Sequence, residues 1–298
     1  MTISSTYKKV SSGVMARSEL SALISLLDDP DGFVQQKVME RLSQLDERSV
    51  PLLDEIREGI ADEKLRKRLT DLIHKFTFDS FEIEFIEYLE CGVTSVADLE
   101  KGQLLLSRFE NPTLRTDLYR RQLDKMAARL EPEIRTGLSH SEILQAFVSF
   151  FFEKEYFRGA ESDYMHPDNS YLHKVLQRRR GIPISLSMVM MFVANRLGLP
   201  FFGVNMPMHF MLKYESGSES TLLDPFNGGK VVTLDQCSYF LRNHGIVPAP
   251  AHFDRASEQD ILARSIRNLI FSYEKSGEKE RSAELKRLLG YVMSIRKI

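Results

Sequence analysis

The sequence predicts a mainly helical α+β protein, and three observations carry that prediction. Apolar residues recur at helical spacing from Glu19 to about Phe76 and again from Ser257 to Ile295. The run Ile184–Val193 is apolar on every side except for Ser185 and Ser187, the pattern of a helix buried all round. Between Leu199 and Phe226 the apolar runs shorten around the turn Glu215–Ser220, which marks a small antiparallel sheet. At 298 residues, 43% hydrophobic and 28% charged, the chain is long enough for a full core plus a second module.

The amino-terminal elements come first. Turn signals at Asp28–Gly32 and around Gly59–Asp62 divide the first stretch into a row of short helices. Val34, Val38, Leu42 and Leu45 recur as Leu65, Leu69, Ile73 and Phe76, a constant offset in the range of helical repeat units. The wording Leu26-Leu-Asp-Asp-Pro-Asp-Gly-Phe-Val34 resembles the turn and second helix of HEAT repeats, in which acidic turn residues cap the following helix. That resemblance covers residues 19–76 and implies a stacked helical module with one free, ridged face for another protein. Phe81–Glu90 begins with strand-like alternation, but its break to Phe85-Ile86 and Tyr88-Leu89 suits a helix ended by Gly92.

Further helices are expected at about Val96–Arg108, Thr113–Leu130 and Ser141–Phe152, the last capped by Ser139 or Ser141. The aromatic run Phe147–Phe157 reads as core. Asn169–Gly181 reads as a helix with Leu172, Val175 and Leu176 inward, Arg178–Arg180 as a solvated last turn, and Gly181 as its left-handed cap. The buried helix then starts at Gly181-Ile-Pro-Ile-Ser185, with Pro183 in its first turn. Leu199–Asn205 and Met208–Tyr214 read as strands interrupted by Pro207.

A hairpin turning at Gly217-Ser218 places Met211 opposite Asp224 and makes His209 and Asp224 diagonal neighbours on one face, close enough for a hydrogen bond. Ser185, His209 and Asp224 thus form a candidate triad of nucleophile, base and orienter. The alternative is that Ser185 only caps its helix and His209 is a core histidine held by Asp224. Cys237 lies on a later helix within reach of this region, though a small buried thiol is its simpler reading.

Here the sequence resembles the SirB-type branch of the transglutaminase-like proteins, which share their fold with papain-like thiol enzymes. The phrases are Asn169-Ser-Tyr-Leu, Arg-x-Gly181-Ile-Pro-Ile-Ser-Leu-Ser187, Arg196-Leu-Gly-Leu-Pro200, Pro207-Met-His-Phe210 and Leu223-Asp-Pro-Phe-Asn-Gly-Gly229. The resemblance implies a transglutaminase-like core with a small antiparallel sheet, in which a cysteine begins the buried helix and histidine and aspartate follow. His209 and Asp224 match those positions; the cysteine position falls at or near Ser185. Serine must lose its proton during attack, whereas a thiol can be drawn down to a standing thiolate.

The expected organisation is a HEAT-like module over residues 1–92, a transglutaminase-like core over 93–256, and a helical hairpin over 257–298 that resembles a single tetratricopeptide pair. The expected function is a non-catalytic transglutaminase-like protein in protein–protein interaction or regulation, its partner another protein bound through the helical amino-terminal module or the remnant cleft. The alternative is a serine-dependent hydrolase or acyltransferase using Ser185, His209 and Asp224.

Other function classes recede. A net charge of −2 and basic runs as short as Arg178–Arg180 give no footprint for nucleic acid. Two cysteines make neither a disulfide framework nor a zinc site, and the spacing around His166 and His173 suggests no metal. No cofactor is expected. The start Met1–Lys9 lacks an apolar leader and no run is long enough to span a bilayer, so no membrane partner and a cytoplasmic location are expected.

Overall fold

The computed structural model describes residues 15–134 and 137–295. The leader reading of Met1–Lys9 and the outer ends of the first and last expected segments lie outside those residues. The chain divides into two compact units, Met1–Phe81 with Asn111–Thr113, and Glu82–Glu110 with Leu114–Ile298.

In the first unit, helices α1 (Arg17–Ser25), α2 (Gly32–Leu42) and α3 (Val50–Glu58) precede α4 (Glu63–Glu90). Asp31 caps α2 by accepting the Phe33 N–H at 2.8 Å, and Asp28 takes the Arg68 guanidinium at 2.5 Å. Leu20, Ile24, Val38, Leu42, Leu53, Leu69 and Ile73 close one apolar core, with Val34, Leu45, Leu65 and Phe76 packed against it. Both halves of the repeated pattern therefore feed the same core. The expected row of short helices is corrected in one respect: Glu63–Glu90 is a single helix. It contains neither glycine nor proline, so nothing in it interrupts the i→i−4 ladder, and the strand-like alternation near Phe81 is overridden.

The second unit holds α5 (Val96–Glu110), α6 (Thr116–Leu130), α7 (His140–Ser149), β1 (Arg158–Gly159), α8 (Leu172–Arg178), β2 (Arg180–Gly181) and α9 (Pro183–Arg196). The sheet strands β3 (Phe201–Val204), β4 (Met211–Ser216), β5 (Glu219–Asp224) and β6 (Lys230–Val232) follow, then α10 (Leu234–Asn243), α11 (Glu258–Ser276) and α12 (Lys279–Ser294). Every residue of α9 from Pro183 to Ala194 is buried, Ser185 and Ser187 included, as a sequence otherwise apolar on every side requires.

The sheet is antiparallel in the order β3-β4-β5-β6. Its central hairpin turns at Gly217-Ser218, with Gly217 at φ 60° supplying the left-handed turn residue, and pairs Leu212 with Leu223 in the expected register. Phe147 stacks on Phe201 and His140 on Tyr214, which fastens α7 to the sheet. Ser139 and Glu142 cap α7 reciprocally. Past Ser149 the chain widens into a π-helical turn, Phe150–Lys154, instead of continuing as the expected α-helix, with all three phenylalanines buried.

The hairpin of α11 and α12 starts on a Ser257 cap and reverses at Gly277. Its Tyr273 hydroxyl meets that of buried Tyr171 at 2.9 Å. Among the described residues no helix is long and apolar enough to cross a membrane.

Candidate functional site

The site assembles at three places: the start of α9, the turn before β4 and the end of β5. The start of α9 is prepared by the segment preceding α8. Asn169, fully buried, donates its amide to the Asp163 carbonyl at 2.6 Å and accepts from Arg178 at 3.1 Å, while Arg178 also reaches the Asp163 carboxylate at 3.1 Å. This clamp fixes the Asn169 carbonyl, which accepts the Ser185 hydroxyl at 2.6 Å.

Ser185 occupies the third position of α9, and its oxygen accepts the N–H of Ile182, the residue before the helix, at 3.0 Å. It is 1% exposed. Its hydroxyl gives its one proton to a backbone carbonyl, with Asn169 at 2.6 Å and Ile182 at 3.1 Å in reach, and shares the Ile182 N–H with the Asn169 carbonyl, 3.3 Å from it. Among the described residues no hydrogen bond joins Ser185 to His209. Ser187 is also turned inward, donating to the Pro183 carbonyl at 2.8 Å. Gly181 makes room for this arrangement: a Cβ there would lie 2.5 Å from the Ser185 oxygen.

Three readings of this segment are corrected. The helix before Gly181 is only Leu172–Arg178, because Pro167–Asn169 forms its own 3-10 turn. Its left-handed cap is Arg179, at φ 56°, and not Gly181, which is drawn into β2 beside Gly159. Two of the three arginines are engaged in packing and are not a solvated end: Arg178 in the Asn169 clamp, and Arg179 on Glu155 at 2.8 Å and over the Phe157 ring.

The histidine arrives by a different route from the one expected. Pro207 has no N–H for a ladder and Met208 adopts φ 65°, so Pro207–His209 is a turn and β4 begins only at Met211. The His209 N–H closes that turn on the Met206 carbonyl at 3.3 Å. His209 and Asp224 nevertheless meet, Nε2 to Oδ1 at 3.0 Å, close enough for an ion pair but off the line of a straight hydrogen bond. Among the described residues the other ring nitrogen, Nδ1, makes no hydrogen bond, and the side chain is 18% exposed.

Asp224 is held from several directions. Its Oδ1 accepts the Phe226 and Asn227 N–H groups at 3.1 and 3.3 Å, and its Oδ2 accepts the Asn227 side-chain amide at 2.7 Å. Burial pushes the carboxyl up, but the His209 contact and the Asn227 donors outweigh it and hold Asp224 below the ordinary carboxylate range. Asn227 is a site residue that sequence reasoning missed; its signal was its place two residues after Asp224-Pro, the spacing of an aspartate-capped turn.

Phe240 of α10 approaches the His209 ring, at 6.1 Å between centroids. Cys237, on the same helix, packs among Val204, Met206, Met211, Leu222 and Leu241. Burial, then the Asp224 charge, push its thiol up, the opposite of what a thiolate nucleophile needs. Among the described residues no group of three histidine, cysteine or carboxylate side chains could hold a metal. His166 caps a turn and His173 meets Glu110 at 3.0 Å.

A helix buried all round and a histidine–aspartate pair at the end of an antiparallel sheet are the parts that the resemblance to transglutaminase-like proteins calls for. The sequence model of the transglutaminase-like superfamily matches residues 117–267, just over half of the chain. The chain belongs to that superfamily and to its SirB-type group. It is 30% identical over 191 residues to protein SirB1 of Salmonella typhimurium, covering 63% of this chain and 70% of that protein. A UPF0162 protein of Xylella fastidiosa is 32% identical over 186 residues, 60% of this chain, and the match spans 66% of that relative's length. Mouse F-box only protein 21 is 33% identical over 145 residues, 46% of this chain and 23% of its own. No solved structure matches.

Proposed function

We propose that this chain is a non-catalytic transglutaminase-like protein that acts in protein–protein interaction or regulation. The observation that carries the reading is Ser185: at the position where the family resemblance calls for a nucleophile, the hydroxyl is buried and bonded to the backbone of Asn169 and Ile182. A proton held on a backbone carbonyl in the core is not at the disposal of a general base. HEAT-like helices within residues 1–92, which expose Phe33 and Met39 on α2, supply the surface for a partner protein. A SirB-type core that fills only 23% of F-box only protein 21 fits use as a module. Its two free cysteines suit a reducing, cytoplasmic setting.

One observation favours the alternative, a serine-dependent hydrolase or acyltransferase. His209 retains Asp224 on one nitrogen and, among the described residues, makes no hydrogen bond through the other, the arrangement of a proton-transfer pair. A fluorophosphonate probe decides between them. Covalent labelling of the wild-type protein that Ser185→Ala and His209→Ala both abolish establishes the enzyme; the non-catalytic reading expects no labelling at Ser185.

A further inference from the structure

A concave feature lies apart from Ser185, His209 and Asp224 and uses none of them. The carboxyl end of α4, with α5 and α6, encloses a cavity of about 360 Å³. Its floor is apolar, made by the buried side chains of Tyr88, Leu104 and Leu105. Its rim is polar, and the exposed Cys91 thiol sits on it. A cavity at the lower end of the ~300–1,000 Å³ range, apolar below with a few convergent polar groups above, has the form of a small-molecule site.

The rim charges do not balance. Glu84 places both carboxylate oxygens on Arg108, at 2.7 and 2.6 Å, so that pair neutralises itself. Lys101 stands over the Tyr88 ring, 5.8 Å from its centroid, and among the described residues no carboxylate pairs with Lys101 or Arg120. Two cations therefore face the single Glu87 carboxylate across an apolar floor. Field lines from such an excess are focused by low-dielectric walls, which favours an anion at the mouth.

We propose that this cavity binds a small carboxylate with an apolar body, its carboxylate toward Lys101 and Arg120 and its body on Tyr88, Leu104 and Leu105. The proposal goes beyond the function given above and stands whether or not that site is catalytic.

The test titrates the full-length protein with 3-phenylpropionate and with phenethylammonium, which share an aromatic body and differ in head-group charge. The carboxylate should bind saturably and at least ~10-fold more tightly than the ammonium. Arg120→Glu and Lys101→Glu, both at exposed positions, should each weaken it by a similar factor with the melting temperature of the free protein unchanged. Saturating 3-phenylpropionate should also slow alkylation of Cys91 by N-ethylmaleimide, which locates the ligand independently of affinity. Absence of saturable binding, equal or tighter binding of the ammonium, affinity unchanged in both variants, or Cys91 alkylation at its free rate under saturation overturns the proposal.

Discussion

The two sides of the candidate site differ in how completely the fold has absorbed them. At the start of α9 every polar group described has a partner: Asn169 is clamped, Ser185 is bonded on both sides and Ser187 is turned back on its helix. Across from it, the Pro207–His209 turn carries a left-handed methionine that is 65% exposed, and His209 meets Asp224 out of line with one nitrogen unpaired. A satisfied buried network rigidifies its surroundings, whereas a strained, partly open one retains the capacity to bind or exchange a proton. The helix start is closed by its own hydrogen bonds, and the histidine side is the more open of the two.

The largest effect that would break this contrast is at Asn169. Replacing it with alanine removes the bonds to Asp163 and Arg178 inside the core and should cost about 3 kcal/mol in urea denaturation. A loss below about 1 kcal/mol would mean that the clamp is not what fixes the helix start. Ser185→Ala should cost about 1 kcal/mol, since it removes the hydroxyl's bonds while the Asn169 carbonyl and the Ile182 N–H keep each other at 3.3 Å. Ser185→Cys sharpens the same point: in the folded protein the new thiol should react with iodoacetamide far more slowly than exposed Cys91. Rapid reaction at position 185 would show that the site is open in solution.

On the other side, Asp224→Asn removes the carboxylate facing His209, and the acid limb of stability reads its effect. Because the Asp224 carboxyl sits below its ordinary value, its contribution to stability is complete above the unfolded value of about 4 and disappears as pH falls through the lower folded value. Wild type should therefore lose more stability below pH ~4 than Asp224→Asn does. Glu110 behaves alike: burial raises it, but His173 and then Lys174 bring it down to about 2, so its share is lost between pH ~4.5 and ~2. The smallest effect is at Met208, where glycine relieves the left-handed backbone at an exposed site and should stabilise by up to ~1 kcal/mol.

Where one local signal decided an element, the sequence was readable. The buried α9 followed from its apolar run and Pro183, and the β4–β5 register from Gly217-Ser218. Both depend on periodicity and turn chemistry within a few residues. What escaped was set by distant partners. Arg178 and Arg179 looked like a solvated helix end until Asp163, Asn169 and Glu155 were brought beside them. His209 was assigned to a strand because the left-handed Met208 leaves no trace in composition. The pairing of His209 with Asp224 was nonetheless legible, because a turn and a strand end can deliver the same contact. The inward rotation of Ser185 was weighed as a helix cap, but its second partner, sixteen residues upstream, was not.

Gly181 gives the site a lock with a single pin. The space where its side chain would begin is the space the Ser185 oxygen occupies, so a methyl group there and the buried hydroxyl exclude one another. The inward seat of the position-185 side chain is thus held by the glycine four residues before it as much as by the serine itself, and a change at either one alters the space left to the other.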